Sequence, residues 1–346
     1  MGIVYIDKLE QGGMLTKQEF VSLIENRTDE LDCYLFAKAR KVREEHFGRN
    51  IYIRGLIEVS NYCKNDCYYC GIRKSNLQVE RYRLTKEQIL ECCQTGYELG
   101  FRTFVLQGGE DGFFTDEKMI DIISTIRKNY PDCAITLSLG EKSFDTYQKY
   151  FDAGANRYLL RHETATSEHY AKLHPQSMSL ATRKQCLYDL KQIGFQVGCG
   201  FMVGSPFQTN ENLAEDLLFI SELQPQMVGI GPYISHKDTP FKDKKNGSLE
   251  LALFMLGLIR LIIPKVLLPA TTALGSIDVT GRESGILAGA NVVMPNLSPL
   301  NVRNKYLLYD NKISTGDEAA ECLHSLERNM ESIGYKVVVD RGDFQF

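Results

Sequence analysis

Ile51-Tyr-Ile-Arg-Gly-Leu-Ile-Glu-Val-Ser-Asn-Tyr-Cys-Lys-Asn-Asp-Cys-Tyr-Tyr-Cys-Gly71 is the stretch on which the fold turns. Its first part, 51–58, is apolar without clean polar alternation, as in a parallel strand covered on both faces. Just beyond it, Cys63, Cys67 and Cys70 share one tight loop, with the aromatic Tyr69 before the last of them. Three thiolates on one loop can hold three corners of a [4Fe–4S] cube and leave one iron open for chemistry. A structural zinc wants four ligands, usually in two paired sets, and no second Cys-x2-Cys or His-x3–5-His follows.

The same strand type recurs with a regular beat. Candidates are 51–58, 103–107, 134–138, 157–161, 196–203, 227–231, 266–269 and 291–294. Helices fill the gaps. Thr85-Lys-Glu-Gln88 is a capping box, and Leu213, Leu217 and Ile220 mark one apolar helix face. Gly100, Gly154 and Gly194 each stand where a helix must stop before the next strand. Eight strands alternating with helices predict a closed (β/α)8 barrel with right-handed crossovers. Two helical patterns, 17–25 and 30–46, precede it, and a last helix near 315–333 opens on the capping box Thr315-Gly-Asp-Glu318. No linker rich in Pro, Gly or Ser splits the chain. The expectation is one barrel domain over 1–346: helical extension 1–50, core 51–300 and C-terminal cap 301–346.

Composition narrows the function. A net charge of −4 without a long basic run argues against nucleic acid. The acid-bearing N-terminus does not read as a signal peptide, and Ile6 stands where Met1-Gly2 lipidation would need Ser or Thr. The apolar stretch 251–263 is broken by Gly257 and Arg260 and is too short to span a bilayer. Cys33, Cys92, Cys93, Cys133, Cys186, Cys199 and Cys322 are scattered, unlike a disulfide scaffold. Most are expected as small core hydrophobes in a reducing cytoplasm.

Barrel chemistry gathers at the C-terminal ends of the strands, where the polar and glycine-rich segments fall here. Gln107-Gly-Gly-Glu-Asp111 follows strand two, and Ser138-Leu-Gly-Glu141 follows strand three. Arg161-His-Glu-Thr164 ends strand four, with Arg161 suited to clamp a carboxylate and Glu163 to accept ribose hydroxyls; an ion pair between them is the alternative. Gly108 and Gly109 let backbone approach a ligand, or simply turn the chain. Thr271 and Thr272 offer hydroxyls to an anion or form a tight loop. Met227 and Met294 face the mouth or pack the core. Tyr306 and Tyr309 cap the barrel or pack on it.

The cysteine spacing resembles the signature of the radical S-adenosylmethionine (SAM) superfamily. Within it, the chain resembles HydE, the radical SAM maturases of [FeFe]-hydrogenase, over nearly its full length after about residue 50. The resemblance rests on Arg54-Gly-Leu-Ile-Glu58, Leu106-Gln-Gly-Gly-Glu-Asp111, Leu137-Ser-Leu-Gly-Glu141, Arg157-Tyr-Leu-Leu-Arg-His-Glu-Thr-Ala165, Met202-Val-Gly204, Met227-Val-Gly-Ile-Gly-Pro232, Pro269-Ala-Thr-Thr-Ala273 and Ala290-Asn-Val-Val-Met-Pro-Asn296. It implies a TIM-like radical SAM barrel. Cys63, Cys67 and Cys70 would hold a [4Fe–4S] cluster whose open iron SAM chelates. Tyr69, Gln107, Gly108, Gly109, Glu110, Ser138, Glu163, Arg183 and Met202 would surround SAM. Its reductive cleavage would give methionine and a 5′-deoxyadenosyl radical. The radical would act on a small cysteine-bound iron compound carrying CO and cyanide, lined by Arg54, Arg161, Met227, Thr271, Thr272, Met294, Tyr306 and Tyr309. A low-potential electron donor and other hydrogenase maturation proteins are the implied partners.

Some family members carry a second cluster on a C-terminal cysteine triad. Here Lys312-Ile-Ser-Thr-Gly-Asp-Glu-Ala-Ala-Glu-Cys-Leu-His-Ser325 keeps only Cys322, so one cluster is expected. The nearest rival is a radical SAM amino-acid mutase of the methylornithine synthase type, which shares the cluster and cosubstrate loops. Arg161-His-Glu-Thr164 and Pro269-Ala-Thr-Thr272 favour the maturase. Sulfur insertion of the biotin synthase kind lacks ligands for a second cluster. A non-enzymatic iron–sulfur carrier would not cleave SAM.

Overall fold

The computed structural model describes residues 1–313 and 320–345. Three helices open the chain: α1 (Gly2–Glu10), α2 (Lys17–Glu25) and α3 (Asp29–Phe47). α2 starts on a full capping box between Thr16 and Glu19. α1 was not apparent from periodicity, for only Ile6 and Leu9 of its residues are buried.

The strand beat predicted from sequence is present, but several strands are broken. Strand one is β1 (Asn50–Ile53) and β2 (Gly55–Ser60), followed by β3 (Thr103–Gly108), β4 (Ala134–Ser138) and β5 (Arg157–Leu159). Strand five divides into β6 (Gln196–Cys199) and β7 (Met202–Val203), and strand six into β8 (Met227–Val228) and β9 (Gly231–Pro232). The breaks coincide where Gly200 and Gly229 touch: a Cβ on Gly200 would lie 2.0 Å from the Gly229 carbonyl oxygen. Strand seven survives only as bridges from Leu267 to Met227 and from Pro269 to Val292. Strand eight is β10 (Val292–Val293), which returns to β1 in the register Tyr52↔Val292. Parallel pairing thus runs around all eight positions and closes the barrel.

Helices cover the outside: α4 (Lys86–Glu98), α5 (Asp116–Asn129), α6 (Phe144–Asp152), α7 (Ser167–Leu173), α8 (Leu180–Ile193), α9 (Asn210–Leu223) and α10 (Leu249–Ile262). The predicted stops at Gly100, Gly154 and Gly194 have positive φ of 92°, 112° and 108°. α10 is buried almost all round, between the barrel and the N-terminal helices. Short α11 (Thr272–Ile277), α12 (Gly281–Leu287) and α13 (Leu300–Arg303) follow, then α14 (Leu323–Ser332). The capping box at Thr315–Glu318 lies outside the described residues.

A further strand was not foreseen. β11 (Lys336–Val338) lies parallel to β1, on the edge opposite β10, in the register Ile51↔Val337. Beyond it the chain crosses the N-terminal end of the barrel. Arg157 Nη2 donates to the carbonyls of Arg341 (2.8 Å) and Gly342 (3.1 Å) and to Asp343 Oδ1 (2.7 Å). Phe344 packs with Phe47, Tyr52 and Leu159 at that end. Of the scattered cysteines, Cys92, Cys93, Cys133, Cys186 and Cys199 are buried, whereas Cys33 is exposed and Cys322 half-buried.

Candidate active site

The loop 61–71 hangs from the end of β2 and is fastened on several sides. Asn61 Nδ2 donates to the carbonyls of Glu80 (2.9 Å) and Lys305 (2.7 Å). Backbone N–H groups of Lys64, Tyr68 and Gly71 donate to the carbonyls of Glu110, Leu173 and Leu308. Gly109 sets the closeness of this approach, since a Cβ there would stand 2.2 Å from the Tyr62 carbonyl oxygen and 2.8 Å from Cys63 Cβ.

Cys63, Cys67 and Cys70 are free and half-buried. Burial first, then mutual repulsion, pushes the thiols of Cys67 and Cys70 up, that of Cys70 to about 12. A positively charged iron centre would offset both effects. Among the described residues no three His, Cys, Asp or Glu side chains converge on a single ion. A cube spreads its ligands over separate irons, so the trio need not converge, and an all-sulfur donor set suits it.

A polar chain runs outward from this loop. Lys64 Nζ meets Glu110 Oε2 at 3.1 Å, and Glu110 Oε1 accepts from the Glu141 backbone N–H at 3.0 Å. Glu141 Oε1 accepts from Arg183 Nε at 2.6 Å, and Arg183 Nη1 donates to the Arg161 carbonyl at 2.6 Å. Arg161 Nη2 and Glu163 Oε2 then stand 3.1 Å apart. That contact is an ion pair by distance but not a hydrogen bond by angle, for both atoms remain without a hydrogen-bond partner. The structural pair anticipated as the alternative therefore exists, while leaving these atoms open to a ligand. Glu163 has φ +65°, costly for a residue with a side chain, and its N–H donates to the Gly200 carbonyl.

The other candidates sit on neighbouring strand ends and loops. Ser138 pairs with Gln107 across β4 and β3. Gln107 lies beside the buried hydroxyl of Tyr306. Met202 packs with Leu173, Tyr68 and Tyr69. Thr271 Oγ1 donates to the Ile230 carbonyl (3.1 Å), Thr272 begins α11, and Tyr309 lies beside Ser276 near its end.

Arg54 and Met227 lie deeper in the barrel. Arg54 is wholly buried; its Nη1 meets Met227 Sδ at 2.7 Å, while Nε and Nη2 have no partner. Burial, then the like charge of Arg157, holds its guanidinium well below the usual arginine range. Met227 belongs to the buried cluster of Phe47, Tyr52, Leu159, Leu267 and Val292 near the barrel base and Met294 packs against it, so core packing is realised for both.

Several residues at the site escaped the sequence reading. Tyr69 Oη hydrogen-bonds His174 Nε2 at 3.2 Å, and His174 Nδ1 lies 3.0 Å from the Tyr170 carbonyl. Burial brings the His174 imidazole down to about 3, so it is neutral: Nδ1–H donates to that carbonyl and Nε2 accepts from Tyr69. The Tyr170 ring stacks on it at 3.9 Å. His162 Nε2 and Asp216 Oδ1 meet at 3.3 Å with no exposure, and Asp216 Oδ1 also accepts from Ala165 N–H at 2.5 Å. Burial pushes Asp216 up and His162 down, so the pair is neutral and braces the turn that carries Glu163. Lys312 pairs with the buried Glu58, which also accepts from Asn296 Nδ2 at 3.0 Å. A lone histidine or an acid on an outer helix carries no spacing signal of its own. Only its tertiary partner exposes its role.

Comparison with known proteins agrees with this geometry. Residues 57–220 match the family model of the radical SAM superfamily. The chain is 42% identical to the [FeFe] hydrogenase maturase subunit HydE of Thermotoga maritima over 308 residues, covering 89% of this chain and 88% of that protein. It is 30% identical to the 3-methylornithine synthase of Methanosarcina barkeri, covering 95% and 92%. The solved methylornithine synthase PylB superposes with a TM-score of 0.85 at 29% identity, covering 96% of this chain and 97% of that one. With its barrel, its cysteine loop and this degree of identity, the chain belongs to the radical SAM enzymes, in the HydE family of [FeFe]-hydrogenase maturases.

Proposed function

We propose that the enzyme holds one [4Fe–4S] cluster on Cys63, Cys67 and Cys70, binds SAM beside it, and acts on a small cysteine-containing iron compound bearing CO and cyanide during assembly of the hydrogenase active site. The observation that carries the substrate reading is Arg54: a fully buried guanidinium with two unpartnered nitrogens and a thioether as its neighbour. An unpaired buried charge is costly, and an anionic, polarizable guest would satisfy both neighbours. The 42% identity to a HydE protein, against 30% to a methylornithine synthase, favours the maturase over the mutase.

When bound, the cluster and SAM supply one-electron cleavage of the sulfonium C–S bond to a 5′-deoxyadenosyl radical. This chain's own residues bind, orient and exclude water. Tyr69, held by neutral His174, and Met202 wall the adenosine side. The backbone turn Gln107–Glu110 flanks the methionine moiety, and Ser138 the ribose and carboxylate side. Glu163 Oε2 accepts from ribose hydroxyls, and Arg183, fixed by Glu141, faces the carboxylate. Arg161, Thr271, Thr272, Tyr306 and Tyr309 stand between SAM and Arg54, with Met227 and Met294 packing beneath it.

The test is anaerobic reconstitution followed by reduction with SAM present. About four irons per chain and release of 5′-deoxyadenosine are expected, with Cys67→Ala abolishing that release. Iron near twice that number would reject the single cluster, and an intact cluster that leaves SAM uncut would reject the radical reading.

A further inference from the structure

Phe207 and the lysines around it form an exposed patch on α7 and the loops that follow β7 and β9. Phe207, on the loop after β7, is 50% exposed although aromatic. Its φ is +67°, a conformation that side chains disfavour. The neighbours impose that backbone. The Pro206 carbonyl meets His169 Nε2 at 3.0 Å, while Gln208 accepts from Gly204 N–H at 2.6 Å and donates to the Met202 carbonyl at 2.8 Å. An exposed aromatic held in a strained backbone calls for a ligand.

Aromatic contacts lead inward from it. The Phe207 ring lies 6.0 Å from Phe241, and Phe241 lies 6.0 Å from Tyr68. Tyr68 stands between Cys67 and Tyr69 in the cysteine loop. Electron transfer weakens steeply with distance, so a one-electron donor must dock where the loop comes near the surface.

The charges around Phe207 select the donor. Lys244 Nζ lies 4.7 Å and Lys172 Nζ 5.9 Å from its ring centre. Lys237, Lys242 and Lys245 are exposed on the same 237–245 loop, against Asp238 and Asp243. None of these five lysines forms an ion pair among the described residues, on a chain whose net charge is −4. Unpaired cations gathered against the sign of the whole molecule attract an anionic partner and leave an apolar centre for contact.

We propose that Phe207, with Lys172, Lys244 and Lys245 around it, is the docking surface for a small acidic one-electron carrier protein that reduces the cluster. This rests on the reading of Cys63, Cys67 and Cys70 as cluster ligands. The donor gives one electron to the oxidised cluster and is itself oxidised by one electron.

The experiment follows cluster reduction by stopped-flow absorbance in the reconstituted full chain, using a reduced acidic bacterial ferredoxin as probe. The rate constant should fall steeply with added salt. The triple variant Lys172→Glu/Lys244→Glu/Lys245→Glu should be slowed at least tenfold with ferredoxin, yet reduced by dithionite at the parent rate. Phe207→Gly, which relieves the backbone, should slow ferredoxin without loss of thermal stability. A salt-independent parent rate, a triple variant within twofold of parent, or equal slowing with dithionite would each overturn the docking surface. Failure of the cluster reading looks different, for then neither reductant yields a reduced cluster.

Discussion

Arg54 donates to a thioether where most buried arginines meet a carboxylate. The fold bears that cost at a position where the proposed guest would bind. Arg54→Met should raise stability by roughly 1–4 kcal/mol in urea unfolding, as replacing buried charge by apolar volume often does. Uncoupled SAM cleavage should persist while turnover of the iron substrate is lost; a less stable variant would mean that the charge is already compensated. Asp216 acts at one remove, through the backbone of Ala165 and the ring of His162. Asp216→Ala should weaken SAM binding to the reconstituted protein about tenfold, or about 1.4 kcal/mol, with Asp216→Asn close to the parent. Unchanged binding in the alanine variant would reduce that pair to mere packing.

Among the elements, α3 contains a testable defect. Asp32 sits in its first turn, 3.8 Å from Arg27 Nε, with Oδ1 buried and unpartnered. Burial raises its carboxyl to about 6 despite Arg27. Folding then favours the protonated form, so stability declines as pH rises from about 4 to about 6 and stays lower above. Asp32→Asn should stabilise the protein at pH 7.5 by up to roughly 3 kcal/mol and give no advantage near pH 4, read as the difference in urea midpoint. The elements themselves were largely legible in the sequence. Thr85 with Gln88 capped α4 as expected, and the apolar run 103–107 became β3. The breaks in strands five and six were not legible, because Gly200 matters only through Gly229, a neighbour supplied by closure of the barrel. Cys63, Cys67 and Cys70 stood out as a candidate site by their spacing and aromatic flank, whereas His174 did not, since its partner Tyr69 lies 105 residues away.

For the whole molecule, the N-terminal end of the barrel is closed by the segment that follows β11. Arg157 is buried there, and Asp343 together with two carbonyls answers its charge. Ending the chain after Val338 should cost about 3 kcal/mol, the low end for breaking a buried pair, since Asp343 is partly exposed. A urea midpoint equal to the parent's would show that the segment merely covers the surface. β1 takes β10 on one edge and β11 on the other, so its neighbours come from residues 292–293 and 336–338, far along the chain. Contacts this remote in sequence form late. The strand leading into the cysteine loop is therefore braced on both lower edges only when these distant segments dock on it.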